Sequence, residues 1–209
     1  MSTLLRVDSS PILQSSVSRQ LTEEFVQKWK ARHPDGKVIS RDLNQTHLAP
    51  VTGEWIAAAH TPEEARSSEQ KQALELSDTL IAELQAADEY AIGLPMHNFS
   101  VPSTAKLWID LVARPGKTFI YADGRAKGLL AHKKATFIIA SGGTYGAGTA
   151  YASFNFVEPY VRAFFAFLGV TDAASINVGG TTVLNYGQVN REAFLQPYIE
   201  AVATQISAS

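Results

Sequence analysis

Short runs rich in apolar and β-branched residues alternate along this chain with longer stretches in which apolar positions recur at helical spacing. Five runs predict strands: Leu4 to Val7, Lys37 to Arg41, Tyr90 to Leu94, Ala135 to Ala140 and Ser175 to Val178, each bounded by Gly, Pro, Ser or Asp. Several are apolar almost throughout, as strands buried on both faces are. After the first run, Val17, Leu21, Phe25 and Trp29 recur every fourth residue and predict one apolar stripe on a helix. Thr61-Pro62-Glu63-Glu64 combines a cap acceptor, Pro at the first helical position and Glu at the third, predicting a long helix from there toward Ala87. Pro102 opens a third helix carrying Leu107, Trp108, Leu111 and Val112 and ending before Pro115-Gly116. Val157, Tyr160, Val161, Phe164, Phe165 and Leu168 match the helical template at every step. A last helix lies between Arg191 and Ile206, where Pro197 predicts a kink or the true start. The stretch from Asn44 to Thr61 is a longer connection than compact domains ordinarily need, which marks it as a candidate functional loop.

Strands alternating with helices predict an α/β fold with a parallel sheet covered on both faces, in one domain over residues 1–209. Five strands in this alternation fit a flavodoxin-like three-layer sandwich of strand order 2-1-3-4-5. In that order a ligand binds outside the carboxyl ends of strands one and three, where the strand order reverses.

Composition narrows the function classes. The chain is 45% apolar and 18% charged, an ordinary globular balance, and its net charge of -2 gives no general pull toward nucleic acid or an anionic membrane. The absence of Cys removes disulfides, thiolate nucleophiles and Cys-bound metals. The N-terminus lacks a signal-peptide core and the most apolar stretch, Ala163 to Val170, is far too short to span a bilayer, so a cytoplasmic location is expected.

Three segments at the predicted carboxyl edge carry candidate chemistry. After strand one, Asp8 to Ser18 places five serines ahead of a helix N-terminus, which reads either as an anion cup or as an N-cap and polar turn. After strand three, Pro95-Met96-His97-Asn98-Phe99-Ser100-Val101-Pro102 is either a buried turn or a wrap for a planar heteroaromatic ring. In the second reading Met96 and Phe99 are apolar walls and Asn98 meets the polar edge. After strand four, Ser141-Gly142-Gly143 allows close backbone approach to a ligand. Eight of the twenty aromatics fall between Tyr145 and Phe167, either as extra core or as a subunit interface or stacking wall.

Competing motifs fail. Leu111 stands where a P-loop ending in Gly116-Lys117-Thr118 needs Gly, and Tyr151 stands where Gly146-Ala147-Gly148 would need Gly to complete a dinucleotide fingerprint. No G-x-S-x-G elbow is present, and the five His are dispersed without metal-ligand spacing, so neither a hydrolase nor a metal site is expected.

Ser9-Ser10 with Ser16-Val17-Ser18, Pro95 to Phe99, Leu111 to Phe119, Lys133-Lys134-Ala135, Ser141-Gly142-Gly143 and Leu168 to Asp172 together resemble the FMN-dependent NADH-azoreductase and NADH:quinone oxidoreductase family of flavodoxin-like proteins. The resemblance spans nearly the whole chain. It implies a homodimer with one noncovalent FMN per subunit and the active site at the dimer interface. It also implies FMN phosphate on Ser10, Ser16, Val17 and Ser18, and the ring against Met96, His97, Asn98 and Phe99, with Ala140, Ser141, Gly142 and Gly143 at the other edge. Tyr121 and Phe167 would be the partner subunit's contribution to the substrate pocket. His97 stands where Tyr is frequent in the family, and Ala140-Ser141 where Ser-Arg is frequent, which bears on substrate range and nicotinamide preference.

The implied reaction is a two-electron ping-pong transfer from NADH or NADPH through the flavin N5 to quinones, azo dyes or nitroaromatics. No protein nucleophile is required and no metal takes part; His97 is a candidate accessory group that orients or protonates substrate. Two alternatives use the same pocket: a flavodoxin-like FMN electron carrier, against which a net charge of only -2 argues, and a nonenzymatic flavin-binding sensor.

Overall fold

The computed structural model describes residues 2–208. In chain order the elements are β1 (Thr3–Asp8), α1 (Val17–Arg32), β2 (Lys37–Asp42), α2 (Gly53–His60), α3 (Ser68–Ala86), β3 (Glu89–Pro95), α4 (Ser103–Val112), β4 (Phe119–Ala122), β5 (Arg125–Gly128), β6 (Lys134–Ala140), α5 (Val157–Phe167), β7 (Asp172–Val178), α6 (Thr182–Asn185) and α7 (Arg191–Ala208). The main sheet is parallel in the order β2-β1-β3-β6-β7, which is the expected order once the small β4-β5 pair is set aside.

Alternation along the buried strands feeds two cores. Tyr90, Ile92, Leu94, Phe137 and Ile139 face α3, α4 and α5, while Ala91, Ile138, Ala140 and Val178 face α1 and α7. Each helical stripe read from the sequence is seated accordingly: Leu21, Phe25 and Trp29 are buried on α1, and Val157, Val161 and Phe165 on α5. Arg114, only 1% exposed, donates to Asp78 Oδ1 at 2.7 Å and Ser77 Oγ at 3.0 Å, pinning the end of α4 to α3.

Three expectations need correction, and one element was not expected at all. The long helix starts at Ser68, not at Thr61, because the capping box is made by Ser67 and Gln70; Pro62 heads only a single 3-10 turn, Glu63–Ala65. The connection from Asn44 to Thr61 contains helix α2, capped by Thr52 and packed on α3. Pro197 does not start the last helix, which begins at Arg191 with Asn190 Oδ1 accepting from Ala193 N–H; the proline sits in an exposed position within it. The segment 119–128, to which the sequence pattern assigned no element, is an antiparallel hairpin turning at Asp123-Gly124, both at positive φ.

Candidate functional site

Strands β1 and β3 are neighbours whose chains leave toward opposite sides of the sheet, so their carboxyl ends leave a crevice between the loops that follow. Ser9 anchors the first loop there, with its N–H and Oγ both donating to Gly93 O, at 3.2 and 2.7 Å. Ser16 caps α1, its Oγ accepting from Arg19 N–H at 3.4 Å and lying 3.2 Å from Ser18 Oγ. The N–H groups of Val17 and Ser18 precede the helical ladder and point out of the helix start, where an anion is favoured. Capping by Ser16 therefore leaves the first helix N–H groups open and does not exclude an anion at this end.

The second loop is held by Met96 N–H donating to Ala140 O at 2.7 Å. His97 and Ser100 exchange backbone hydrogen bonds at 2.9 and 3.1 Å around a tight turn whose central residues, Asn98 and Phe99, both have positive φ. That turn presents Phe99 outward against Tyr145 and Phe154, with ring centroids 6.0 and 5.1 Å away. The third loop is tied to the end of β7: Thr181 Oγ1 donates to Ser141 O at 3.0 Å and Thr182 Oγ1 to Gly142 O at 2.9 Å. A Cβ on residue 142 would lie 2.8 Å from Thr182 Oγ1, so glycine permits this approach.

Together these loops enclose a cleft of about 240 Å³ that brings Ser10, Ser16 and Val17 to one end and Met96, His97, Ala140 and Gly142 to the other. A second cleft of about 250 Å³ lies beside Met96 and takes in Ser141, Tyr145 and Asn155. Ser18, Asn98, Phe99 and Gly143 flank these clefts without lining either. Tyr121 and Phe167 are brought together elsewhere. Phe119 packs against both, with centroids 5.6 and 4.7 Å away, and they remain 72% and 39% exposed. Because α5 runs back along the sheet and β6 starts directly after the hairpin, this patch sits at the edge of the sheet opposite its own chain's cleft.

Charge around the cleft is sorted. Arg19 is turned beneath the first loop, donating twice to Ser10 O, at 2.9 and 2.6 Å, and to Asp42 Oδ1 at 2.7 Å. Asp8, at the end of β1, is buried beside Arg6 and accepts from Thr22 Oγ1 at 2.7 Å; burial pushes its carboxyl above the usual range against the pull of those donors. The 240 Å³ cleft itself is lined by no carboxylate and by one cation, Arg191. Sequence reading missed Arg191, Thr181, Leu184 and Asn185 in this lining. Only Gly179-Gly180, directly after the last strand, signalled a fourth loop at this edge.

A crevice at the switch point of a doubly wound parallel sheet, with a serine-rich helix start at one end, defines a flavodoxin-like protein. The chain belongs to the family described as flavodoxin-like fold, whose model matches residues 2–205. It is 54% identical, over 97% of its length and 98% of the relative's, to a protein of Acidobacterium capsulatum named FMN-dependent NADH:quinone oxidoreductase. A Burkholderia lata relative named FMN-dependent NADH:quinone oxidoreductase 3 is 42% identical over 97% of this chain and 98% of its own. Among solved structures, a Bacillus anthracis FMN-dependent NADH-azoreductase in complex with FMN superposes with a TM-score of 0.87 at 24% identity, covering 100% of this chain and 99% of that one. At that identity the likeness bears on the fold alone.

Proposed function

We propose that this protein is an FMN-dependent NADH:quinone oxidoreductase that also reduces azo compounds, working as a cytoplasmic homodimer. The carrying observation is the cleft that joins the α1 N-terminus and its serines to the Met96-His97 and Ala140 to Gly142 backbone, with no carboxylate in its lining. That donor set suits FMN. Hydroxyls and free helix N–H groups meet a phosphate dianion, and a narrow gap between two backbone segments meets a flat ring. Ser10, Ser16, Val17 and Ser18 would hold the phosphate end, with Met96 to Phe99 and Ala140 to Gly143 around the ring.

FMN, when bound, supplies the two-electron chemistry between reduced nicotinamide and the acceptor. The chain's own residues position the reactants. The Met96 N–H bond to Ala140 O fixes the spacing of the two segments, and the Thr181 and Thr182 hydroxyls hold the glycine loop in place. Phe99, Tyr145 and Phe154 form an aromatic wall beside the cleft that suits flat acceptors. His97 lines the cleft and is exposed, placed to orient or protonate an acceptor. The 54% identical relative named for this reaction supports the same reading.

The decisive experiment is an absorption spectrum of FMN-reconstituted protein, followed by anaerobic addition of NADH and then of a benzoquinone. Bleaching of the flavin bands by NADH and their recovery with quinone are expected. Flavin that binds but stays oxidised would replace the enzyme with a carrier or sensor. His97→Tyr is expected to change turnover or preference among quinones with FMN content unchanged; identical kinetics across several quinones would remove the accessory role.

A further inference from the structure

Cations near the first loop are each matched to a carboxylate except one. Arg6 pairs with Asp8 and Glu23, Arg19 with Asp42 and Asp8, and Arg41 with Glu83. Arg191, the first residue of α7, takes part in no ion pair among the described residues. Its Nε donates to Gln20 Oε1 and its Nη2 to Ser15 O, both at 3.0 Å. Neutral acceptors therefore fix the guanidinium in place and leave its charge and remaining N–H groups uncommitted. It lines the same cleft as Ser10, Ser15, Ser16 and Val17, at the end where the α1 N-terminus opens. Arg19, nearer in sequence, is excluded from that duty because it is spent on Ser10 O and Asp42.

We infer that Arg191 is the cation that binds the phosphate of FMN and makes this cleft select FMN over riboflavin. The inference rests on the proposed FMN site and deepens it. A helix N-terminus and hydroxyls supply dipoles and neutral donors. A phosphate dianion adds a full charge, and a half-buried guanidinium held ready beside the cup answers it with charge-assisted hydrogen bonds. Because Arg191 also grips Ser15 O, its occupation would couple α7 to the loop that carries the serines. Riboflavin, with the same ring and ribityl chain and no phosphate, gains nothing from this residue.

The test compares dissociation constants for FMN and riboflavin, read from quenching of flavin fluorescence, in the wild type, Arg191→Gln and Arg191→Lys. Arg191→Gln is expected to weaken FMN about tenfold to a hundredfold and to leave riboflavin unchanged. Arg191→Lys should fall between, since it keeps charge without the planar fork. Raising salt should weaken FMN binding to the wild type and do so less in Arg191→Gln. Circular dichroism and thermal unfolding of the flavin-free variants report whether the fold is kept. Equal losses for both flavins, or no loss for either, would overturn the inference while leaving the FMN reading intact. A wild type that binds neither flavin would overturn the FMN reading, and this inference with it.

Discussion

Asn98 and Phe99 hold backbone torsions that L-residues seldom adopt, with φ of 48° and 72°, where two backbone hydrogen bonds between His97 and Ser100 close the turn. Asn tolerates that region because its short amide bonds locally, whereas a β-branched side chain clashes there. Asn98→Val should therefore cost about 1 to 3 kcal/mol in urea unfolding of the flavin-free protein, while Asn98→Gly should change stability by less than about 1 kcal/mol. If Asn98→Gly keeps stability yet weakens flavin binding, the amide side chain contributes to binding. Unchanged binding assigns Asn98 to the turn alone. The mixture of apolar, aromatic and amide groups inside a proline-bounded segment marked this loop in the sequence, but the left-handed turn that turns Phe99 outward is visible only in three dimensions.

Titrating residues set the acid limit. Burial alone would raise the Asp42 carboxyl, but hydrogen bonds from Arg19 and from Asn44 N–H outweigh it and leave Asp42 below its ordinary value. Glu158 is held low in the same way, with Arg162 and Asn177 outweighing burial. A carboxylate held low stabilises the fold above its unfolded pKa, about 4, and that contribution is lost as pH falls through the folded value. Asp8 acts with the opposite sign: burial raises it, so its share is largest at low pH and is lost as pH rises through its folded value. Thermal unfolding midpoints measured from pH 7 to pH 3 should fall, and Asp42→Asn should flatten the acid side of that profile. An unaltered profile would show that the Arg19 contact carries no net stability.

At the scale of elements, amphipathic stripes located α1, α4 and α5 because their apolar faces match the helical period, and runs rich in apolar and β-branched residues located the five sheet strands, including the unburied β2. The β4-β5 hairpin escaped because its tip is exposed and carries no apolar alternation. Its place is decided by contact: Leu130 N–H donates to Leu168 O at 2.9 Å, and a Cβ built on Gly128 would lie 2.0 Å from the Leu168 carbonyl carbon. Gly128→Ala should accordingly cost about 3 kcal/mol and expose the hairpin to proteolysis, since backbone rather than a flexible side chain blocks the added methyl. A variant as stable and protease-resistant as the wild type would show that α5 and the hairpin can separate freely. The Leu111 to Phe119 motif that carried part of the family resemblance is likewise structural in this fold, with Arg114 bonded to α3 and Thr118 Oγ1 donating to Val112 O at 2.7 Å.

For the whole molecule, the notable surface feature is aromatic side chains left uncovered at two opposite ends. Phe99, Tyr151, Phe154 and Phe156 lie beside the cleft, and Tyr121 and Phe167 at the far edge. Exposed aromatic patches of this kind suit association surfaces or ligand grooves. Light scattering should return the mass of two chains for the wild type and of one for Tyr121→Glu/Phe167→Glu, with the fold retained by circular dichroism. Monomeric wild type, or a double variant that remains dimeric, would place the interface elsewhere or nowhere. Since Tyr121 and Phe167 lie away from their own cleft, only a second copy could bring them to a substrate pocket.

Periodicity and punctuation in the sequence by themselves determined the class of fold and the loops that follow its strands, and agreed with the strand order without fixing it, because burial on both faces writes itself into apolar runs and helix starts need capping residues. Tertiary structure decided the rest. It placed Arg191, 175 residues from Ser16, against the serine loop, and it separated Tyr121 and Phe167 from their own cleft. It also turned Arg19 beneath the first loop, onto Ser10 O and Asp42. Such pairings join groups distant along the chain through the geometry of packed layers, and no local pattern of hydrophobic and polar positions records them.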